Sequence, residues 1–117
     1  MVRPIRQGSG GGSSEQAAGD ARHEERHIVD EAASMTVLHP LSPDRTDIRI
    51  IEISRRGMKL LVPNFVQCDS IIQVRVKGVI ALGEVRYCAP AATGFHAGLS
   101  IQDVVPNASA LMAALLK

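Results

Sequence analysis

The sequence predicts a small all-β domain, an antiparallel barrel or sandwich, with one helix at its C-terminal end. Three observations predict it. Six short runs rich in Val, Ile and Leu follow one another at close spacing, separated by Pro, Gly, Asn and Ser breaks. After Asp103-Val104-Val105-Pro106 the apolar period changes from two residues to a helical spacing. Ahead of the runs stands Gly8-Ser9-Gly10-Gly11-Gly12-Ser13-Ser14, which holds too little apolar surface to offset the entropy of ordering it.

Residues 1–20 therefore read as a disordered tail or linker, and 21–117 as the folded domain. Residues 21–34 are polar and charged, with a short helical stretch expected around Ala21 to Glu31. Met35-Thr36-Val37-Leu38 is the first strand, ended by Pro40, Ser42 and Pro43. Thr46 to Ser54 is the second strand and Met58 to Val62 the third, with Ser54-Arg55-Arg56-Gly57 as the polar break between them. From Ile71 to Lys77 the chain alternates: Ile72, Val74 and Val76 face one way, Gln73, Arg75 and Lys77 the other, as in a half-exposed strand. Gly78 turns the chain into a long fifth strand, Val79 to Cys88. Past a loop from Pro90 to Gly94, Phe95, Ala97, Leu99 and Ile101 alternate with His96, Gly98, Ser100 and Gln102 as the sixth. Leu111, Met112, Leu115 and Leu116 then share one helix face, with Asn107 or Ser109 as the N-cap.

Composition narrows the function classes. A chain of 117 residues is one domain, and 45% hydrophobic content suffices for one core. With one Tyr, two Phe and no Trp, that core is built from Val, Ile, Leu and Ala. A formal net charge of +1 does not predict binding to nucleic acid or to a membrane surface, and three aromatic residues are too few for the stacking platforms of single-strand binding. Locally the picture differs, because five of the thirteen basic residues lie between Arg45 and Lys59 and four of those five are arginine. Arginine presents a planar fork that matches phosphate. Cys68 and Cys88 are too few for a disulfide scaffold and read as buried thiols in a reducing compartment. No apolar run has the length of a membrane-crossing helix, and the start of the chain lacks the apolar segment of a signal peptide, so a cytoplasmic protein is expected.

Catalytic patterns are weak. His23-Glu24-Glu25-Arg26-His27 spells H-E-x-x-H, in which two histidines one helical turn apart hold zinc. Its two middle positions are charged, where a zincin helix faces an apolar interior, and no third ligand stands downstream. His39 and His96 are isolated, and no G-x-S-x-G turn is present. Neither an enzyme nor a metal site is expected.

Two motifs remain. Arg22-His23-Glu24-Glu25-Arg26 precedes the first strand, and Glu52-Ile53-Ser54-Arg55-Arg56-Gly57 spans the turn between the second and third. In that order and on this strand pattern they resemble the PilZ domain family, bacterial receptors for cyclic di-GMP. The family has R-x-x-x-R before its first strand and [D/N]-x-S-x-x-G at this turn. Ser54 and Gly57 match, whereas Glu52 stands where the family has Asp or Asn. Gly83-Glu84-Val85-Arg86-Tyr87 and Gly94-Phe95-His96-Ala97-Gly98-Leu99 also resemble its last two strands, so the likeness runs from about residue 21 to the end.

The resemblance implies a six-stranded antiparallel β-barrel with a C-terminal helix, acting as a non-enzymatic receptor with cyclic di-GMP as ligand and no cofactor. Arg22 and Arg26 would pair with phosphate and stack on guanine. Glu52 and Ser54, placed on one face by strand alternation, would meet the guanine edge, while Ile53 points to the core. Gly57 would supply a positive φ and let the ligand approach. Arg55 and Arg56 add phosphate contacts in our own reading of the turn. Some family members carry another arginine where Ala21 stands, which favours one ligand molecule per site. The expected mechanism is a disorder-to-order step: the segment with Arg22 and Arg26 folds onto the barrel and changes the surface offered to a downstream protein. DNA, RNA and membrane are not expected partners, and the chain is expected as monomer or homodimer. The alternative is a degenerate module that no longer binds the nucleotide and acts through protein–protein contacts.

Overall fold

Six β-rich runs become six strands because each alternates apolar and polar residues, and one short apolar helix follows them. The computed structural model describes residues 25–116. Its elements are β1 (His27–His39), β2 (Leu41–Ile53), β3 (Gly57–Val62), β4 (Ile71–Val76), β5 (Val79–Pro90), β6 (Phe95–Val105) and α1 (Ala108–Leu115). The strands close into an antiparallel barrel in the order β1-β2-β3-β6-β5-β4. Closure comes from β1, which pairs with β2 along its length and with β4 from Ser34 opposite Arg75 to His39 opposite Ile71. The tail expected over residues 1–20 lies outside the described residues.

The interior is aliphatic, as composition requires. Ile50, Ile53, Leu60, Ile72, Val74 and Val85 are fully buried, and Ile72, Val74 and Val76 all point inward as their alternation predicts. Leu111 and Leu115 bring α1 onto this core against β5 and β6. Asn107 is the N-cap, its side chain accepting from the Ala110 N–H at 2.9 Å. No helix among the described residues is long and apolar enough to cross a membrane.

Several expectations need correction. Residues 27–31 are strand, not helix: His27 pairs with Ile53 and Ile28 with Glu52, so ladder hydrogen bonds to the long β2 override the helical preference of Glu and Ala. The first strand thus starts eight residues earlier than Met35, β2 starts at Leu41 rather than Thr46, and β5 and β6 run on to Pro90 and Val105. The thiols are not buried. Cys68 is exposed and Cys88 partly so, the latter accepting the Val66 N–H at 3.4 Å.

Strict alternation also breaks at bulges: β1 is irregular between Ile28 and Glu31 and around Val37, and β2, β5 and β6 each carry one extra residue. Ile51 is an extra residue between the Ile50–Leu60 and Glu52–Lys59 pairs. Arg86 is one between the Val85–Leu99 and Tyr87–Gly98 pairs. Gln102 is the third, between the partners of Gly83 and Leu82. A bulge lets two successive residues avoid opposite faces. Ile50 and Ile53 can then both be inside with Glu52 outside, and Arg86 and Tyr87 can both be exposed.

Close strand packing yields the first prediction. A Cβ on Gly83 would stand 2.5 Å from the Ser100 carbonyl oxygen and 2.7 Å from Leu99 Cγ. The carbonyl belongs to the β6 ladder and cannot move aside. Gly83→Ala should therefore lower stability by about 1–3 kcal/mol in urea unfolding, as overpacking does; an unchanged midpoint would refute this packing.

Candidate functional site

The break between β2 and β3 is a two-residue loop, Arg55-Arg56, closed by Ser54 and Gly57. The Ser54 N–H donates to the Gly57 carbonyl at 2.8 Å and the Ser54 hydroxyl to the same oxygen at 3.3 Å. Ser54 is therefore buried at 7% exposure, immediately after the buried Ile53. Hairpins this tight usually need left-handed residues in the loop. Neither arginine is left-handed here. The loop is instead held against β6, whose Ile101 N–H donates to the Arg56 carbonyl at 2.8 Å.

Gly57 is in the site for a reason other than the one expected. It does not adopt a positive φ; among the described residues only Gly78 and Gly94 do so as glycines. A Cβ there would lie 3.0 Å from the Leu99 carbonyl oxygen, so the glycine lets β3 and β6 approach.

Around this turn lies an open groove of about 210 Å³, lined by Arg26, Glu52, Ser54, Arg56 and Gly57 together with Lys59, Arg86, Tyr87, Gly98 and Ser100 among others. The fold thus gathers Arg26, from just ahead of β1, beside the β2–β3 turn. Arg26 faces Glu52 across β1 and β2, with Nη1 3.8 Å from Oε1. Lys59 is the cross-strand partner of Glu52 in β3. Arg55 is exposed at the loop tip and does not line the groove. Arg22 and His23 lie outside the described residues. The H-E-x-x-H reading loses its helix, since residues 25 and 26 are not helical and His27 opens β1.

Electrostatically the groove is cationic. Arg26, Arg56, Lys59 and Arg86 line it against the one lining carboxylate, Glu52. Arg86 also meets Glu84 at 3.2 Å, an exposed pair that holds the guanidinium only loosely. Such a groove suits a ligand with more than one negative charge. A larger hollow of about 700 Å³ lies beside Ala32, Ala33, Ile48, Leu61, Val62 and Pro63. Asp47 and Arg49 supply its charge, so it offers no such excess.

Lys59, Arg86, Tyr87, Gly98 and Ser100 escaped the sequence reading. Lys59 was within reach, because a strand–turn–strand pattern sets Glu52 and Lys59 opposite each other. The others depend on β6 inserting between β3 and β5, and on the Arg86 bulge, neither of which leaves a local signal. Tyr87 lies across Gly98 so closely that any Cβ there would collide with its ring. The ring is 45% exposed, which leaves an aromatic face toward the groove for a planar or cationic group. Compared with known family models and with curated proteins, the chain matches none.

Tyr87 is the single tyrosine and the chain has no tryptophan, so tyrosine emission reports this ring alone. Gly98→Ala should lift the ring from the strand and raise its quenching by acrylamide, with the barrel still folded by far-UV circular dichroism. Identical quenching in the two proteins would show that the ring does not rest on Gly98.

Proposed function

We propose that the chain is a non-enzymatic receptor of the PilZ type that binds cyclic di-GMP in the groove at the β2–β3 turn and signals to a protein partner. The observation that carries the reading is the meeting of Arg26 with Glu52, Ser54 and Gly57 on one cationic groove, although the arginine stands ahead of β1 and the others border the β2–β3 turn. These are the residues that the family resemblance selects.

The chemistry is consistent with such a ligand. Two phosphates require paired cations, and Arg26, Arg56, Lys59 and Arg86 offer them. Two guanines require flat faces and polar edges. The Tyr87 ring and the guanidinium planes provide the former, and Ser54, Ser100 and Glu52 the latter. Glu52 has a second role: its carboxylate pairs with Arg26 and competes with the phosphate for it. The extra methylene relative to Asp lets it reach that guanidinium from β2. Binding then exchanges one exposed ion pair, worth little in water, for stronger bonds to phosphate. The segment around Arg26 is the part rearranged, which gives the conformational signal a place to start.

Calorimetric titration of the chain with cyclic di-GMP tests the reading, beside Arg26→Ala and Glu52→Gln. Wild type should bind. Arg26→Ala should weaken binding by roughly 10- to 100-fold, the scale of a lost charge-assisted bond of about 1.5–3 kcal/mol. Glu52→Gln should bind at least as tightly as wild type, because Arg26 loses its competing anion. Absence of heat at saturating nucleotide would favour the interaction-module alternative.

A further inference from the structure

We propose that Lys77 is a latch that couples the ligand groove to the C-terminal helix, so that occupancy of the groove is read out at α1. The proposal rests on the receptor reading and adds to it a path and an output element.

Lys77 and Gly78 form the two-residue turn between β4 and β5, with Val76 paired to Val79. Both are left-handed, at φ 48° and 78°. That geometry is costly for lysine and is normally met by Asn or Gly. The turn therefore does not explain the lysine. Its contacts do. Nζ lies 3.2 Å from Glu31 Oε1 in β1 and donates to the Ala114 carbonyl of α1, also at 3.2 Å.

The helix needs this bond. Its last turn contains no basic residue, and terminal helix carbonyls lack partners within the helix. Lys77 supplies from the barrel the cation that α1 does not carry. The other end of the latch leads to the groove. Glu31 follows the irregularity in β1 between Ile28 and Glu31, and Ile28 is the register partner of Glu52. Arg26, which pairs with Glu52, stands two residues before Ile28. A ligand that draws Arg26 off Glu52 acts on the end of β1; Asp30 within the irregularity is tied to Arg49 of β2, and the residue after it, Glu31, is the one that holds Lys77. A shift at the end of β1 is passed to Glu31, from Glu31 to Lys77, and from Lys77 to the end of α1.

Hydrogen–deuterium exchange over residues 108–116 of the full chain, with and without cyclic di-GMP, tests the latch in wild type, Lys77→Asn and Glu31→Gln. Asparagine suits the left-handed turn, so the first variant keeps the hairpin and removes the cation. In wild type the nucleotide should slow exchange in α1 several-fold. In Lys77→Asn the helix should exchange faster than wild type when free and should not respond to nucleotide. Its affinity should fall roughly 3- to 10-fold, since coupling is reciprocal. Glu31→Gln leaves the lysine on the helix, so exchange in the free protein should match wild type, while the response is lost and affinity falls as in Lys77→Asn. Binding by wild type with unchanged exchange in α1, or a normal response in Lys77→Asn, overturns the latch and leaves the receptor reading standing. No binding by wild type overturns the receptor reading, and the latch as a relay falls with it.

Discussion

Closure of the barrel through β1 and β4 is the constraint on which the other features depend. A closed sheet has one interior, and every side chain on six strands is either in it or out of it. Where the residues do not alternate, the strand has to bulge. Ile48, Ile50 and Ile53 are all buried although the last two are three apart, and Ile51 is the residue that absorbs the mismatch. Val85 points in and Tyr87 is exposed although they are two apart, and Arg86 absorbs that one. Both bulges border the groove. The devices that let the core close also turn Glu52, Arg86 and Tyr87 toward it.

The same constraint separates what was legible in the sequence from what was not. Val74 and its neighbours in β4 were readable because nothing interrupts their alternation, and Asn107 because a cap is a local event. The start of β1 was not readable. Residues 27–31 form a strand only because β2 is long enough to pair with them, a tertiary effect that outweighs the preference of Glu and Ala for helix. Gly57 has a different role in the backbone from the one its motif implies. Its backbone is not left-handed, and it is glycine because the Leu99 carbonyl lies against it. Contacts with β6 recur in the list of omissions, Gly98 under Tyr87 included. Because β6 inserts between β3 and β5 from a distance in sequence, no local pattern announces its neighbours.

Charge is arranged differently inside and outside the barrel. The buried side is aliphatic, with Ser54 and Ser70 as its buried polar residues among those described. Ser54 meets the cost of burial by giving both its N–H and its hydroxyl to the Gly57 carbonyl. The outer rim holds the cations, and the ion pairs at the groove join an exposed arginine to a partly buried carboxylate. In Arg26–Glu52 and Arg86–Glu84 the arginine side chains are 60% and 61% accessible and the carboxylate side chains 23% and 28%. Pairs of that kind contribute little to stability.

Lys77 meets the same half of β1 as Arg26, through Glu31. An exposed surface lysine normally needs no structural explanation, yet this one sits at a backbone conformation that disfavours it. A turn built for stability alone would place Asn or Gly there. Keeping lysine gives up some turn stability and gains a cation that touches two elements at once, β1 and α1. The helix in turn has a defined N-cap and no basic residue in its last turn. Its two ends are thus secured by different means, the first locally and the second by the barrel. An element anchored in this way is free to respond to the barrel at one end while remaining folded from the other.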